Sequence, residues 1–239
     1  MRDSSGKTSI WQAIADALRS DLSEGKYAPG DKLPTEAALA ERFGVNRHTV
    51  RHGISALVEE GLIRSRRGSG SFVAATPTDY PIGQRVRFHE NLIAAGRRPD
   101  KRALQIEVRS ATEGEAKALQ IAPGGPVCAY HGLSLADGQP IAVFESLFPV
   151  QSLSGITQAL AKTSSVTEAL RLSGISDYTR LSTRLTAVRA TAMQALHLQV
   201  TEGDPLMKSS SVNVDETGTP VEYGRTWFAG DRVTLTLES

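Results

Sequence analysis

Residues 33–74 read LPTEAALAERFGVNRHTVRHGISALVEEGLIRSRRGSGSFVA, and this stretch decides the N-terminal fold. Pro34 precedes Thr35, whose side-chain oxygen suits a helix N-terminus. Ala38, Leu39, Ala40 and Phe43 then recur with helical spacing until Gly44 closes the run. Asn46 caps a second helix whose Val50, Ile54, Leu57 and Val58 face inward, and Gly61 stops it. Two short helices joined through Phe43-Gly44-Val45-Asn46 make a helix-turn-helix. On its second helix, a step of about 100° per residue sets His48, Arg51, His52 and Ser55 opposite the buried face, with Arg47 at the N-terminal flank. In such a unit the start of this helix enters a major groove, where arginine grips guanine O6 and N7. A solvated helix face is the competing reading. Beyond it, Leu62–Arg67 and Ser71–Val73 read as strands joined by Gly68-Ser69-Gly70, a wing whose tip suits a phosphate or the minor groove. A plain exposed hairpin would leave Arg64, Arg66 and Arg67 together without a reason.

Upstream, Ile10, Ile14, Leu18 and Leu22 recur every four residues, which predicts an amphipathic helix from Ser9 to Glu24, ended by the turn-forming run 25–30. The chain has 239 residues and a formal net charge of +1. That charge is unevenly spread. Between Arg42 and Gly70 six arginines face two glutamates, a local basic patch of the kind nucleic acid requires. A hydrophobic fraction of 40% argues against disorder. A lone cysteine, Cys128, excludes an internal disulfide and reads as a buried structural thiol in a reducing compartment. The N-terminal dozen residues lack the apolar core of a signal peptide, and no run approaches a membrane span, so the expected location is the cytoplasm, away from membranes.

Residues 9–74 resemble the DNA-binding domain of the GntR family, from the LPTE start through HTVR and EEGLI to the GSGSFV wing. The resemblance implies that Arg47, Thr49 and Arg51 contact DNA from the recognition helix and that Gly68 and Gly70 shape the wing. Many members carry arginine where this chain has Ala37. Candidate DNA-binding residues are therefore Thr35, Arg47, His48, Thr49, Arg51, His52, Arg66, Arg67, Gly68 and Gly70.

The expected division is a winged helix-turn-helix over 1–75, a linker over 76–82 and a second domain over 83–239. That second domain contains a repeat. Ala111-Thr112 recurs as Ala190-Thr191, Leu119-Gln120-Ile121 as Leu198-Gln199-Val200, and Gly138-Gln139-Pro140-Ile141 as Gly218-Thr219-Pro220-Val221. The offset is 79 residues, then 80. Each copy reads as strand, short helix, turn and hairpin, with a capping box at Thr112 and Glu115 and a turn at Asp137-Gly138. Residues 164–172 make a further helix. Hairpin-linked strands imply an α+β fold with a largely antiparallel sheet and helices on one face. Duplicated halves leave clefts where they meet, which suits a ligand.

This half resembles the UTRA effector domain of the HutC branch of the GntR family, which implies a chorismate-lyase-like fold, an effector pocket and dimerisation through this domain. The segments GQRVRFHENLIAAGRRP, GISDYTRLSTRLTA and VNVDETGTPVEYGRTWFAGDRVTL look most like the phosphonate-utilisation repressors of that branch. The resemblance places a pocket at the start of the first helix, at the hairpin strand holding Glu145 and near Ser165. Other branch members carry arginines where this chain has Gly132 and Ser134. The residues themselves add Arg85, Arg87 and His89 at a helix running to Ala95, a cationic helix start suited to an anion. They also add Tyr178, Arg180, Ser182 and Arg184, which alternate with apolar positions, so that one strand face would carry two arginines. A solvated face is the alternative for each. Candidate effector-binding residues are Arg85, Arg87, His89, Glu145, Ser165, Tyr178, Arg180 and Arg184.

Together these readings predict a ligand-responsive regulator, a repressor of a catabolic operon such as phosphonate utilisation. It would act as a homodimer on a palindromic double-stranded operator and answer to a small anionic effector, a phosphonate or phosphate ester. No cofactor is implied. An enzyme of the lyase-like fold acting on a small anion is the rival, but the sequence offers no HExxH, GxSxG, P-loop or paired-cysteine motif, and His48 and His52 lack the surroundings of a metal site. A constitutive architectural DNA-binding protein would leave half the chain without a purpose.

Overall fold

The structure is a computed structural model that describes residues 9–66, 68, 70–74, 77–83, 85 and 88–237, apart from the side chain of Arg66. It divides into two compact units, Met1–Thr76 and Pro77–Ser239.

The first unit runs α1 (Ile10–Ser23), α2 (Glu36–Phe43), α3 (Arg47–Glu59), β1 (Ile63–Arg66) and β2 (Gly70–Val73). Thr35 caps α2 by accepting from the Ala38 N–H at 3.2 Å, and Asn46 caps α3 by accepting from the Thr49 N–H at 2.8 Å. Gly44 ends α2 in the left-handed region, at φ 64°. Ile14, Leu18, Leu39, Val50, Ile54, Leu57 and Ile63 form one core. Val58, expected inside, is turned outward in the last turn of α3 and is 37% exposed. Gly53 lets α1 lie close on α3, because a Cβ there would meet the Trp11 carbonyl oxygen at 3.0 Å. β1 and β2 pair antiparallel as the expected hairpin.

The second unit runs β3 (Thr78–Pro81), α4 (Phe88–Ala94), β4 (Pro99–Ser110), α5 (Glu113–Leu119), β5 (Pro126–Ala136), β6 (Gln139–Pro149), α6 (Ile156–Lys162), α7 (Val166–Leu172), β7 (Thr179–Arg189), α8 (Ala192–Leu198), β8 (Pro205–Val214), β9 (Pro220–Ala229) and β10 (Val233–Thr236). Six strands make one antiparallel sheet in the order β4-β5-β6-β9-β8-β7. The repeat is the architecture. Each copy supplies an edge strand, a capped helix and a hairpin, and the copies meet at β6 and β9. Thr112 with Glu115 and Thr191 with Gln194 form matching capping boxes, and Gln120 and Gln199 close the two helices with the same φ of 54°. Asp137 and Gly138 both take positive φ, the tight hairpin turn that the sequence signals.

Two expectations need correction. Part of the expected linker is structure, since Thr78–Pro81 pairs in parallel with Val233–Thr236 and so belongs to the second unit. Helices also cover both faces of the sheet. The α6 and α7 residues Ile156, Leu160, Ala169 and Leu170 pack with Cys128, Tyr130, Phe144 and Phe148, while α5 and α8 cover the other face through Leu119 on Val127 and Leu147 and through Leu198 on Leu206. The reason lies in β5 and β6, buried for most of their length on both faces, which one helical layer could not achieve.

Candidate functional site

In the first unit, a cleft of 770 Å³ lies between the start of α2, α3 and the wing, lined by Lys32, Thr35, Glu36, Arg47, Arg51, Gly68 and Gly70. Its central contact is a two-pronged pair: Arg51 donates through Nε to one Glu36 oxygen at 2.9 Å and through Nη2 to the other at 2.6 Å. Side-on engagement leaves the terminal Nη1 edge of the guanidinium open. Arg47 lines the same cleft and His48 is exposed nearby. Thr49 sits half-buried beside the cap, its hydroxyl donating to Asn46 Oδ1 at 2.9 Å. Gly68 and Gly70 have φ of 78° and 103°, values that a side chain would strain, so the wing turn requires them. Arg67 and the Arg66 side chain lie outside the described residues.

His52, another of the predicted contacts, is exposed on α3. Its ring stacks on Trp11 with centroids 4.4 Å apart, a contact that joins α3 to α1. Arg42 is structural, since it and Lys26 each reach the buried Asp21 at 2.6 Å. Lys32, which sequence reading missed, enters the cleft because a bridge to Phe72 carries the segment before α2 alongside the wing.

In the second unit, a cavity of 320 Å³ opens on the α4, α6 and α7 side of the sheet. Of the predicted effector residues, His89, Ser165, Tyr178 and Arg180 line it. Ser165 caps α7 by accepting from the Glu168 N–H at 3.3 Å, and the Tyr178 hydroxyl meets that of Thr167 at 2.8 Å. Burial, and then Lys101, lower the His89 pKa, so the imidazole is neutral at pH 7 and is no cation for an anion.

The other predicted residues go elsewhere. Glu145 lies on the opposite face of the sheet, between Arg109 at 3.2 Å and Arg225 at 2.5 Å, because side chains alternate along β6 and its neighbours Phe144 and Ser146 take the cavity side. Glu115 completes that network, 2.7 Å from Arg109 and 2.6 Å from Arg225, and its pKa drops to about 2, chiefly through the Arg109 hydrogen bond. Arg184 is also excluded. A bulge at Leu181 breaks the strand's alternation, so Arg180 pairs with Asn213 on the cavity face whereas Arg184 pairs with Ser210 on the other. Arg85 is exposed and forms a two-pronged pair with Asp177 at 2.9 and 2.7 Å. Arg87 lies outside the described residues, and α4 begins at Phe88 and runs for seven residues.

What sequence reading missed is most of the cavity wall. Lys101 on β4 places its ammonium over the rings of Phe88 and Phe144, 5.0 and 4.8 Å from their centroids, and burial lowers its pKa to about 8. Ser134, Ser146, Ser209 and Ser211 line the floor. A relay crosses it: Arg180 Nε donates to Asn213 Oδ1 at 2.6 Å, Asn213 Nδ2 donates to the buried Glu222 at 2.6 Å, and Ser146 donates to the other Glu222 oxygen at 2.6 Å. The repeat held the signal. Lys101 and Arg180 are equivalent at the 79-residue offset, as are Ser134 and Asn213, and the pairings Lys101↔Ser134 and Arg180↔Asn213 repeat one register. Gly132 has no side chain because a Cβ would lie 2.6 Å from Phe144 Cζ and 2.8 Å from the Arg102 carbonyl oxygen. The Phe144 ring fills the space beside Gly132.

Residues 11–73 match the family of bacterial regulatory proteins, gntR family, and residues 94–234 match the UTRA domain. The chain belongs to the GntR family. An uncharacterized HTH-type transcriptional regulator of Rhizobium meliloti (strain 1021) is 38% identical to it over 231 residues, which span 96% of this chain and 95% of that one. The probable transcriptional regulator PhnF of Escherichia coli (strain K12) is 33% identical over 229 residues, 95% of this chain and 94% of that one. Among solved structures, PhnF from Mycobacterium smegmatis superposes with a TM-score of 0.64 at 26% identity, covering 95% of this chain and 98% of that one. This GntR chain is thus a transcriptional regulator with a DNA-binding winged helix and a UTRA domain, not an enzyme. No helix among its described residues is long and apolar enough to cross a membrane.

Proposed function

We propose that this GntR regulator is a cytoplasmic homodimer that represses a catabolic operon, such as one for phosphonate utilisation, by binding a palindromic operator, and that a small phosphonate or phosphate ester controls it. The cleft between α2, α3 and the wing is the DNA face: Arg51 and Arg47 read bases or phosphates, and Lys32 and the wing grip the backbone. The cavity under the sheet is the effector site. The observation that carries this reading is Lys101, a half-buried ammonium over two aromatic rings in a cavity it shares with Arg180, the floor serines, Glu90 and Glu222. Among the described residues no carboxylate forms an ion pair with it, and Glu222 attracts it only at longer range. A desolvated cation of this kind is stabilised by an anion. Arg180 adds a planar fork of donors to the same space. Two reading heads fit a twofold operator, and an effector moves operator affinity only as far as its affinities for the two states differ.

The test is a duplex selected from a random pool by the wild-type chain, titrated by fluorescence anisotropy with and without millimolar inorganic phosphate or methylphosphonate. A shifted midpoint, lost in Arg180→Ala, is expected. Operator binding that none of these anions moves, with no stabilisation of the chain in a thermal shift, would contradict the effector assignment.

A further inference from the structure

The duplication fixes more than a fold, because it puts a cation at the same position of each copy. Lys101 and Arg180 are equivalent residues on the two edge strands of the sheet, β4 and β7, and four strands lie between them. The local geometry after the cation differs between the copies, since a one-residue bulge falls at Leu104, three residues beyond Lys101, and at Leu181, directly after Arg180. Both line one cavity of 320 Å³, several times the volume of a single phosphate group. They therefore enter it from opposite walls. Glu222 sits between them, held by Ser146 and Asn213. That floor breaks the symmetry, since Ala142 occupies the equivalent position of the first copy.

We infer that the effector is a two-headed anion, a phosphonate or phosphate at one end and a second acidic group such as a carboxylate at the other, with Lys101 gripping one head and Arg180 the other. A donor on the ligand's middle, a hydroxyl or amine, faces Glu222. The inference rests on the proposed anionic effector. It adds that a ligand with one head leaves a cation on the far wall unanswered, as buried charges rarely are. Arginine suits the head with the more oxygens, because its fork binds phosphonate edge-on, and lysine meets the carboxylate as a point charge.

Calorimetry on the full chain tests this with phosphonoacetate, methylphosphonate, 2-aminoethylphosphonate and acetate. Phosphonoacetate should bind at least roughly tenfold tighter than methylphosphonate, one charge-assisted contact's worth of affinity. Lys101→Met and Arg180→Met should each cut that ratio to about threefold or less, since either variant leaves one head unbound. The wild-type comparison stands even if a variant fails to fold, and a melting curve identifies that case. Methylphosphonate binding as tightly as phosphonoacetate would overturn the two-headed ligand while leaving an anionic effector standing. Tighter binding of 2-aminoethylphosphonate would also overturn it, by showing that Glu222 selects an ammonium instead of a second acid. Failure of every phosphonate to bind at millimolar concentration would remove the anionic effector itself.

Discussion

Arg51 shows how much one side chain's surroundings decide. Alone, an exposed arginine on a helix is a flexible charge. Here Glu36 holds its Nε and Nη2, which orients the guanidinium in the cleft that Arg51 lines. Arg51→Ala should weaken the selected duplex by roughly tenfold or more and erase preference at one base pair, whereas loss of a phosphate contact would weaken every sequence alike. Glu36→Gln should lower the same discrimination, because the amide offers a donor where the arginine needs an acceptor. Anisotropy titrations against single-base-pair variants of the duplex read both outcomes. Lys101 gives a second residue-scale prediction. Its folded pKa of about 8 lies below its ordinary value, so the ammonium is lost as pH rises through 8. Anion affinity, measured by calorimetry, should therefore fall as pH rises above about 8, by up to tenfold per unit, and Lys101→Met should remove that dependence.

At the scale of elements, periodicity and capping made the helix-turn-helix legible. Thr35, Gly44 and Asn46 are local signals with local causes, and the structure places all three at helix termini. The repeat made the sheet legible for the same reason: Thr112 and Thr191 cap equivalent helices. Side-chain direction on the long strands was not legible. Alternation predicts Arg180 and Arg184 on one face, but a single bulge at Leu181, with no residue signature of its own, separates them. Glu145 shows the same limit, as the face it takes depends on which layer of helices covers which side. Its partner Glu115 supplies an element-scale prediction. The Glu115 carboxyl is lowered to about 2, so its stabilisation is present above the unfolded value of 4.5 and is lost as pH falls through about 2. Urea midpoints should drop on acidification between roughly pH 5 and 2, and Glu115→Gln should flatten that drop while lowering stability at neutral pH. Gly132 supplies another. Gly132→Ala should cost about 1–3 kcal/mol by the same urea measurement, because the new methyl strikes both the Phe144 ring and the Arg102 backbone. Phe144→Ala in that background should restore only part of the loss.

For the whole molecule, a basic stretch in a chain of net charge +1 and an internal duplication were enough to separate a reading head from a sensing domain. What they could not supply was the inside of the cavity, since Lys101, Glu222 and the serines converge from five strands far apart in the chain. In the proposed function the two units are coupled: an anion held between Lys101 and Arg180 changes how tightly Arg47 and Arg51 engage DNA. Sedimentation should show a dimer at micromolar concentration, and a monomer both with and without DNA would remove the twofold operator. Titrating the wild-type-selected duplex with the chain at rising concentrations of phosphonoacetate tests this coupling most directly. The dissociation constant for DNA should move with the anion and saturate where calorimetry places anion binding. An anion that binds the cavity to saturation while the DNA dissociation constant stays still would contradict it.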